Sequence, residues 1–337
     1  MEWQIEEGRF QLGDFEVESG EIIRSAELSW QSHGTLNAAR DNVIVYPCSY
    51  MATHDGLSWL IGPGRVLDPG KYFIVIPDMF SNGLSTSAAD DDEFPQLVTM
   101  GDNVRAQYRL ITEYFGITSV QCVYGFSMGA GQAYNWASIF PEFVQRAIVV
   151  CGSARTSDHN KVFLSGLLRT LEAAPEYIGN GHFSSEPTKT LKAFGHIYAG
   201  WGLSQDFYRA GLYRSVLGAE DVDHFLQRYW EASFMSRRAA NLYSQANTWY
   251  HADISRSPNY DGDLSAALKA IKARVLLMPS ETDLYFRVAD NEAELKHLEA
   301  GDMRVIRTIW GHRAGNPAGL EAEEDFLRKS VHEWLAK

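Results

Sequence analysis

Cysteine is scarce in this chain: three residues in 337, Cys48, Cys122 and Cys151. An odd number, with none at metal-ligand spacing, argues against a disulfide framework and against a zinc site. Cys122 and Cys151 fall in apolar runs, so buried thiols are expected. Long apolar runs are missing as well. No segment approaches the ~20 residues of a membrane span, and the acidic start from Met1 to Glu7 has no apolar core of a signal peptide. Basic charge is short, with 30 Lys and Arg against 43 Asp and Glu, a formal charge of −13. That disfavours nucleic acid and anionic membrane as partners. No internal repeat or low-complexity tract appears. The expectation is a soluble cytoplasmic protein with no nucleic-acid or membrane partner.

What the chain has is apolar material, 45% of its residues, enough for a substantial core. Its length suits a large α/β domain with an insertion. Short apolar stretches at 42–46, 72–76, 119–124, 147–150, 275–278 and 303–308 read as strands, and 15–18 with 22–30 as a hairpin turning at Ser19-Gly20. Helical spacing marks 103–115, 130–137 and 325–335, while 83–95 has no periodicity and reads as a loop. Apolar strands alternating with helices indicate a mostly parallel sheet covered on both faces. The rhythm breaks over 156–258, where long helical patterns rich in Tyr, Trp and Phe predominate. The expected organisation is a core over 1–155, a helical cap over 156–258 and a second core part over 259–337.

At the centre of the chain, a strand over 119–124 meets a helix over 130–137 through Gly125-Phe126-Ser127-Met128-Gly129. A sharp strand-to-helix turn crowds its flanks and strains its central residue. Glycine at 125 and 129 lets strand and helix pass closely and leaves the Ser127 hydroxyl at the tip. The helix that follows turns its positive end, and the Met128 amide, toward an oxyanion formed there.

A serine hydroxyl needs a base to take its proton and an acid to orient that base. In chains with this elbow, both follow the nucleophile in sequence. The acid is expected after a late strand, where 275–278 leads into Pro279-Ser-Glu-Thr-Asp283. Asp283 is the candidate and Glu281 its competitor. Of ten histidines, His33, His182, His224, His297 and His332 sit in contexts typical of surfaces. His312 follows the last strand between Gly311 and Gly315 and is the candidate base, with His54 and His251 as rivals. A second oxyanion donor is expected from the loop after the third strand, at the Ser49 amide, with Cys48 as the alternative. Tyr50 on the same loop could add a hydroxyl to the pocket or simply pack.

These residues resemble the homoserine O-acetyltransferase branch of the α/β-hydrolases. The resemblance rests on Gly62-Pro-Gly-Arg-Val-Leu-Asp68, Tyr72-Phe-Ile-Val-Ile-Pro77 and Thr99-Met-Gly-Asp-Asn-Val-Arg-Ala-Gln107, then on Gly125–Gly129, Trp136, Asp283 and His312. It covers about 20–155 and 260 to the end, and is weak in the cap. It implies an α/β-hydrolase fold with a mostly parallel eight-stranded sheet, a Ser-His-Asp triad, a helical cap, homodimers built through that cap, and no metal or other cofactor. The departures matter. Phe126 and Ala130 replace two elbow glycines, Pro47-Cys-Ser-Tyr-Met51 replaces a His-Ala-Leu-Thr-Gly run, and Arg313 stands where an aspartate would hold the homoserine ammonium. A guanidinium there reverses the charge offered to that ammonium. The chain is similar to transferase-like members that hand the acyl group to water. The implied function is therefore hydrolysis of small carboxylic esters, with Cys48, Tyr50, Phe126 and Arg313 near the substrate. Acyl transfer from acyl-CoA to an alcohol is the alternative, and a non-catalytic binding protein of the same fold is the third reading.

Overall fold

The computed structural model describes residues 3–257 and 259–336. Its strands are β1 (Ile5–Glu16), β2 (Ile22–His33), β3 (Val43–Val45), β4 (Phe73–Pro77), β5 (Cys122–Phe126), β6 (Arg146–Val150), β7 (Tyr177–Gly179), β8 (His182–Phe183), β9 (Arg274–Met278) and β10 (Gly301–Met303). Eight of them form one sheet in the order β1-β2-β4-β3-β5-β6-β9-β10. β1–β2 and β2–β4 pair antiparallel, and every other pair is parallel.

The central strands are buried on both faces, which is why they read as unbroken apolar runs. Alternate side chains go to opposite sides: Val43, Val45 and Val123 join one core cluster, Ile44, Cys122 and Tyr124 the other. Helices α1 (Met100–Arg109) and α2 (Met128–Ile139) cover the first face through Val104, Ala133, Trp136 and Ala137. A capping box of Thr99 and Asp102 fixes the start of α1, three residues earlier than periodicity alone predicts.

The insertion between β6 and β9 is helical: α3 (Asp158–Glu172), α4 (Thr188–Gly202), the short α5 (Gln205–Arg209), α6 (Leu212–Ser215), α7 (Val222–Phe225) and α8 (Ala232–Met235), then α9 (Ala239–Tyr250). It leaves and rejoins the sheet through one narrow neck. Thr156 donates to the Ala252 carbonyl (2.9 Å), Ile254 to that of Ala154 (3.1 Å), and the Arg155 Nε to Asp253 (2.7 Å). Its apolar cluster, including Phe163, Leu167, Phe194 and Trp249, is shared with Met128 at the start of α2 and with Tyr50, Tyr285 and Phe286 of the sheet's loops. The helices therefore close over the end of the sheet where the elbow lies. Pro258, the last residue of the expected cap, lies outside the described residues. α10 (Leu264–Lys269) and α11 (Val288–Leu295) flank β9 in the chain, and α12 (Glu321–Leu335) closes it. α12 covers the second face of the sheet with Leu327, Val331 and Trp334. Each fully buried Leu or Val there stabilises by about 1.5–3 kcal/mol.

Several sequence expectations are corrected. β1 starts at Ile5 instead of 15, because an edge strand studded with Glu6, Glu7, Arg9 and Gln11 looks like solvated loop while its backbone pairs with β2 from Ile5 to Glu16, broken by register shifts on either side of Gly13. The last strand is paired over Gly301–Met303 instead of 303–308, where an isolated bridge from Ile306 to Ser280 remains. A small hairpin, β7–β8, interrupts the helical insertion. His33, expected at the surface, is buried, accepting from Trp3 Nε1 (3.0 Å). Among the described residues no helix is long and apolar enough to cross a membrane. All three cysteines are free and buried.

Candidate active site

Ser127 sits between β5 and α2 with φ 57° and ψ −123°, the left-handed strain expected of an elbow. Its amide donates to the Val150 carbonyl (2.9 Å), and its own carbonyl accepts from Ala130 (2.9 Å). The flanking glycines are required by contact. A Cβ on Gly125 would lie 2.1 Å from the Gly129 carbonyl oxygen, and one on Gly129 would lie 2.5 Å from that of Pro47. The elbow thus rests against the loop that carries Ser49.

Two later loops converge on the serine. His312 Nε2 stands 2.8 Å from Ser127 Oγ, and His312 Nδ1 stands 2.7 Å from Asp283 Oδ2. The other Asp283 oxygen accepts from the amides of Tyr285 (2.8 Å) and Phe286 (3.3 Å), which fixes the carboxylate. Thr282 joins the two loops, accepting from the Gly311 amide (3.0 Å) and donating to the Thr308 carbonyl (2.8 Å). Gly311 has φ 61°, and a Cβ there would strike the Ser204 amide of the insertion at 2.8 Å. The imidazole is walled by rings: Phe126 stacked at 4.7 Å, Tyr285 edge-on at 4.9 Å and Phe286 at 5.6 Å. Serine, imidazole and carboxylate are all buried. With Nδ1–H held on the carboxylate, the Nε2 lone pair faces the hydroxyl, the arrangement that lets a serine oxygen act as a nucleophile.

The rivals are placed elsewhere. Glu281 faces Arg307 on the surface, 3.5 Å away. His251 bonds the Asn247 carbonyl on its own helix. His54 pairs with Asp78 at 2.5 Å and does not meet Ser127.

The amides of Met128 and Ser49 have no protein acceptor among the described residues. The Ser49 hydroxyl donates to the Phe126 carbonyl (2.8 Å), tying that loop to the residue before the nucleophile. Cys48 turns its thiol to Asp78 (3.3 Å). Tyr50 donates to the Leu242 carbonyl of α9 (3.0 Å) and stacks on Tyr198 of α4. Arg313 lies over the Trp310 ring (5.4 Å) and donates to the Ala318 carbonyl (3.4 Å), and burial lowers its pKa. None of those partners belongs to the triad.

Sequence reasoning missed the anchor of the Ser49 loop. Asp78, fully buried after β4, accepts from Cys48, from the His54 amide (3.0 Å) and ring, and from Asn82 (2.7 Å). An aspartate directly after a buried strand was the available signal. Glu294 was missed too. It is buried between α11 and the elbow helix, accepting from Tyr134 (2.9 Å), Asn291 (2.9 Å) and the Ala154 amide (2.8 Å). Burial raises its pKa to about 7.

Comparison with known proteins gives a consistent picture. A family described as alpha/beta hydrolase fold matches residues 57–305. A probable esterase of Corynebacterium glutamicum is 38% identical, covering 89% of this chain and 88% of its own. The ethyl acetate hydrolase of Pseudomonas veronii is 36% identical, covering 89% and 87%. The crystal structure of an acetylester hydrolase from Corynebacterium glutamicum superposes with a TM-score of 0.93 at 35% identity, over 98% of this chain and 96% of that one. A homoserine O-acetyltransferase of Mesorhizobium japonicum is more distant, 28% identical over 88% and 85%.

Proposed function

The chain belongs to the α/β-hydrolase family and acts on ester bonds, and we propose that Ser127, His312 and Asp283 are its catalytic triad. Ser127 Oγ attacks the acyl carbonyl while His312 Nε2 takes its proton. The amides of Met128 and Ser49 receive the oxyanion, where preorganised donors stabilise the developing charge. Collapse expels the alcohol, which leaves with the proton from Nε2. A water, deprotonated by the same nitrogen, then opens the acyl-serine and releases the carboxylic acid. Asp283 holds the ring in the required tautomer throughout.

One observation carries this assignment: an unbroken relay of 2.8 Å and 2.7 Å contacts ending on a serine held at positive φ. The rings of Phe126, Tyr285 and Phe286 around the imidazole support a small acyl group. The insertion over 156–258 serves as a cap, with Tyr50 and Tyr198 stacked where it meets the core. We carry the homodimer through that cap, and a cytoplasmic setting suited to three free thiols, as parts of the same reading.

Hydrolysis is favoured over transfer to homoserine because Arg313, and no carboxylate, follows His312. The test is a series of p-nitrophenyl esters of rising chain length, run beside acetyl-CoA with homoserine. Turnover is expected to be highest for acetyl and to fall with chain length. Product formation that depends on homoserine, with negligible hydrolysis, would overturn it.

A further inference from the structure

We propose that Cys151, Asp283 and His312 together form an inhibitory site for a thiophilic divalent cation such as Zn2+. Their ligand atoms, one from each side chain, all lie within 4.8 Å of one another, and all three residues are buried. The three come from loops that follow separate strands, β6, β9 and β10, so no spacing in the sequence could reveal the set. Cys151 closes β6 at φ 46°, its amide held by the Met278 carbonyl (3.1 Å) at the end of β9. That backbone fixes the thiol beside the Asp283 carboxylate. Thiolate, imidazole and carboxylate are the donor types that hold zinc, whereas Mg2+ favours all-oxygen octahedral shells.

Binding on this side removes the base. The ion takes the Nδ1 lone pair, the Nδ1 proton passes to Nε2, and the thiol proton leaves to solvent. Nε2 then carries a hydrogen and no longer accepts the proton of Ser127. The inhibition rests on the role proposed for His312; the binding does not.

The test has two readouts. Initial rates of p-nitrophenyl acetate hydrolysis are measured against rising Zn2+, with Mg2+ as control, for wild type, Cys151→Ser and Cys151→Ala. Wild type is expected to lose activity and to regain it with EDTA. Both variants are expected to keep wild-type turnover without zinc and to need at least about tenfold more of it for half inhibition. Separately, Co2+ is added without ester, and a thiolate-to-metal charge-transfer absorption is expected in wild type and not in Cys151→Ser. Equal zinc sensitivity in wild type and both variants, or no cobalt absorption in wild type, overturns the site. Cobalt absorption with no zinc inhibition keeps the site and sinks the role of His312 instead.

Discussion

Among the described residues two imidazole–carboxylate pairs are buried, and they are built alike. His312 Nδ1 stands 2.7 Å from Asp283, and His54 Nδ1 stands 2.5 Å from Asp78. Each aspartate follows a sheet strand, and both carboxylates are fully shielded from solvent. What differs is the neighbour of the second ring nitrogen. His312 Nε2 meets the Ser127 hydroxyl, while His54 Nε2 meets the carboxylates of Glu7 (3.8 Å) and Asp55 (3.6 Å). Burial pulls the pKa of His54 down, but the hydrogen bond to Asp78 and the surrounding negative charge outweigh it, and the net shift is upward. The upward shift favours the imidazolium form, which donates from both nitrogens and has no lone pair left to take a proton, and so suits His54 to a structural role. His54 therefore secures the loop around Ser49, whereas the role proposed for His312 is to move a proton. A histidine on an aspartate becomes a catalytic device through its third neighbour.

The contrast can be broken most forcefully on the His312 side. Ser127→Ala and His312→Ala are expected to lower ester turnover by about 10^4-fold or more, and Asp283→Asn by a similar order, with little change in Tm. Steady-state kinetics with thermal melts checks both halves of that statement. The second pair should behave in reverse. Asp78→Asn removes the buried carboxylate on which Cys48, the His54 amide and ring, and Asn82 converge, and is expected to cost about 3–5 kcal/mol of stability, read by urea unfolding. Its turnover should fall by far less than that of the triad variants. A stable Asp78→Asn protein with triad-like loss of activity would show that His54 is part of the chemistry.

The smallest effect lies with Glu294, where burial favours the protonated acid in the folded state. Its folded pKa, about 7, exceeds the usual carboxylate value. Its stabilising share is therefore complete below the unfolded pKa and is lost as pH rises through about 7. Wild type is expected to lose up to about 3 kcal/mol across that window. Glu294→Gln should flatten this part of the pH–stability curve while leaving the pH dependence due to His54. An unchanged slope in the variant would mean that Glu294 is ionised throughout.

The contrast also marks how far the sequence could be read. The elbow was legible because its geometry demands Gly125 and Gly129, and such demands leave letters in the chain. Asp283 and His312 were legible by position, each following a late apolar strand. Asp283 and Glu281 share one turn; the sequence favoured Asp283, and the structure puts Asp283 on His312 and Glu281 near Arg307. The His54–Asp78 pair, the fastening at Thr282 and the Glu294 network were not legible. Each joins ordinary polar residues distant in sequence, with no local periodicity to announce the contact. The start of β1 was hidden for the opposite reason: an edge strand needs backbone pairing and no apolar pattern.

The proposed chemistry requires Ser127 Oγ to be the atom that carries the acyl group. Wild-type protein treated with a fluorophosphonate and digested for mass spectrometry is expected to carry the adduct on the peptide containing Ser127. Ser127→Ala should carry none and show the loss of about 10^4-fold in ester turnover. An adduct on another residue, or a Ser127→Ala protein that retains most of the wild-type turnover, would contradict it.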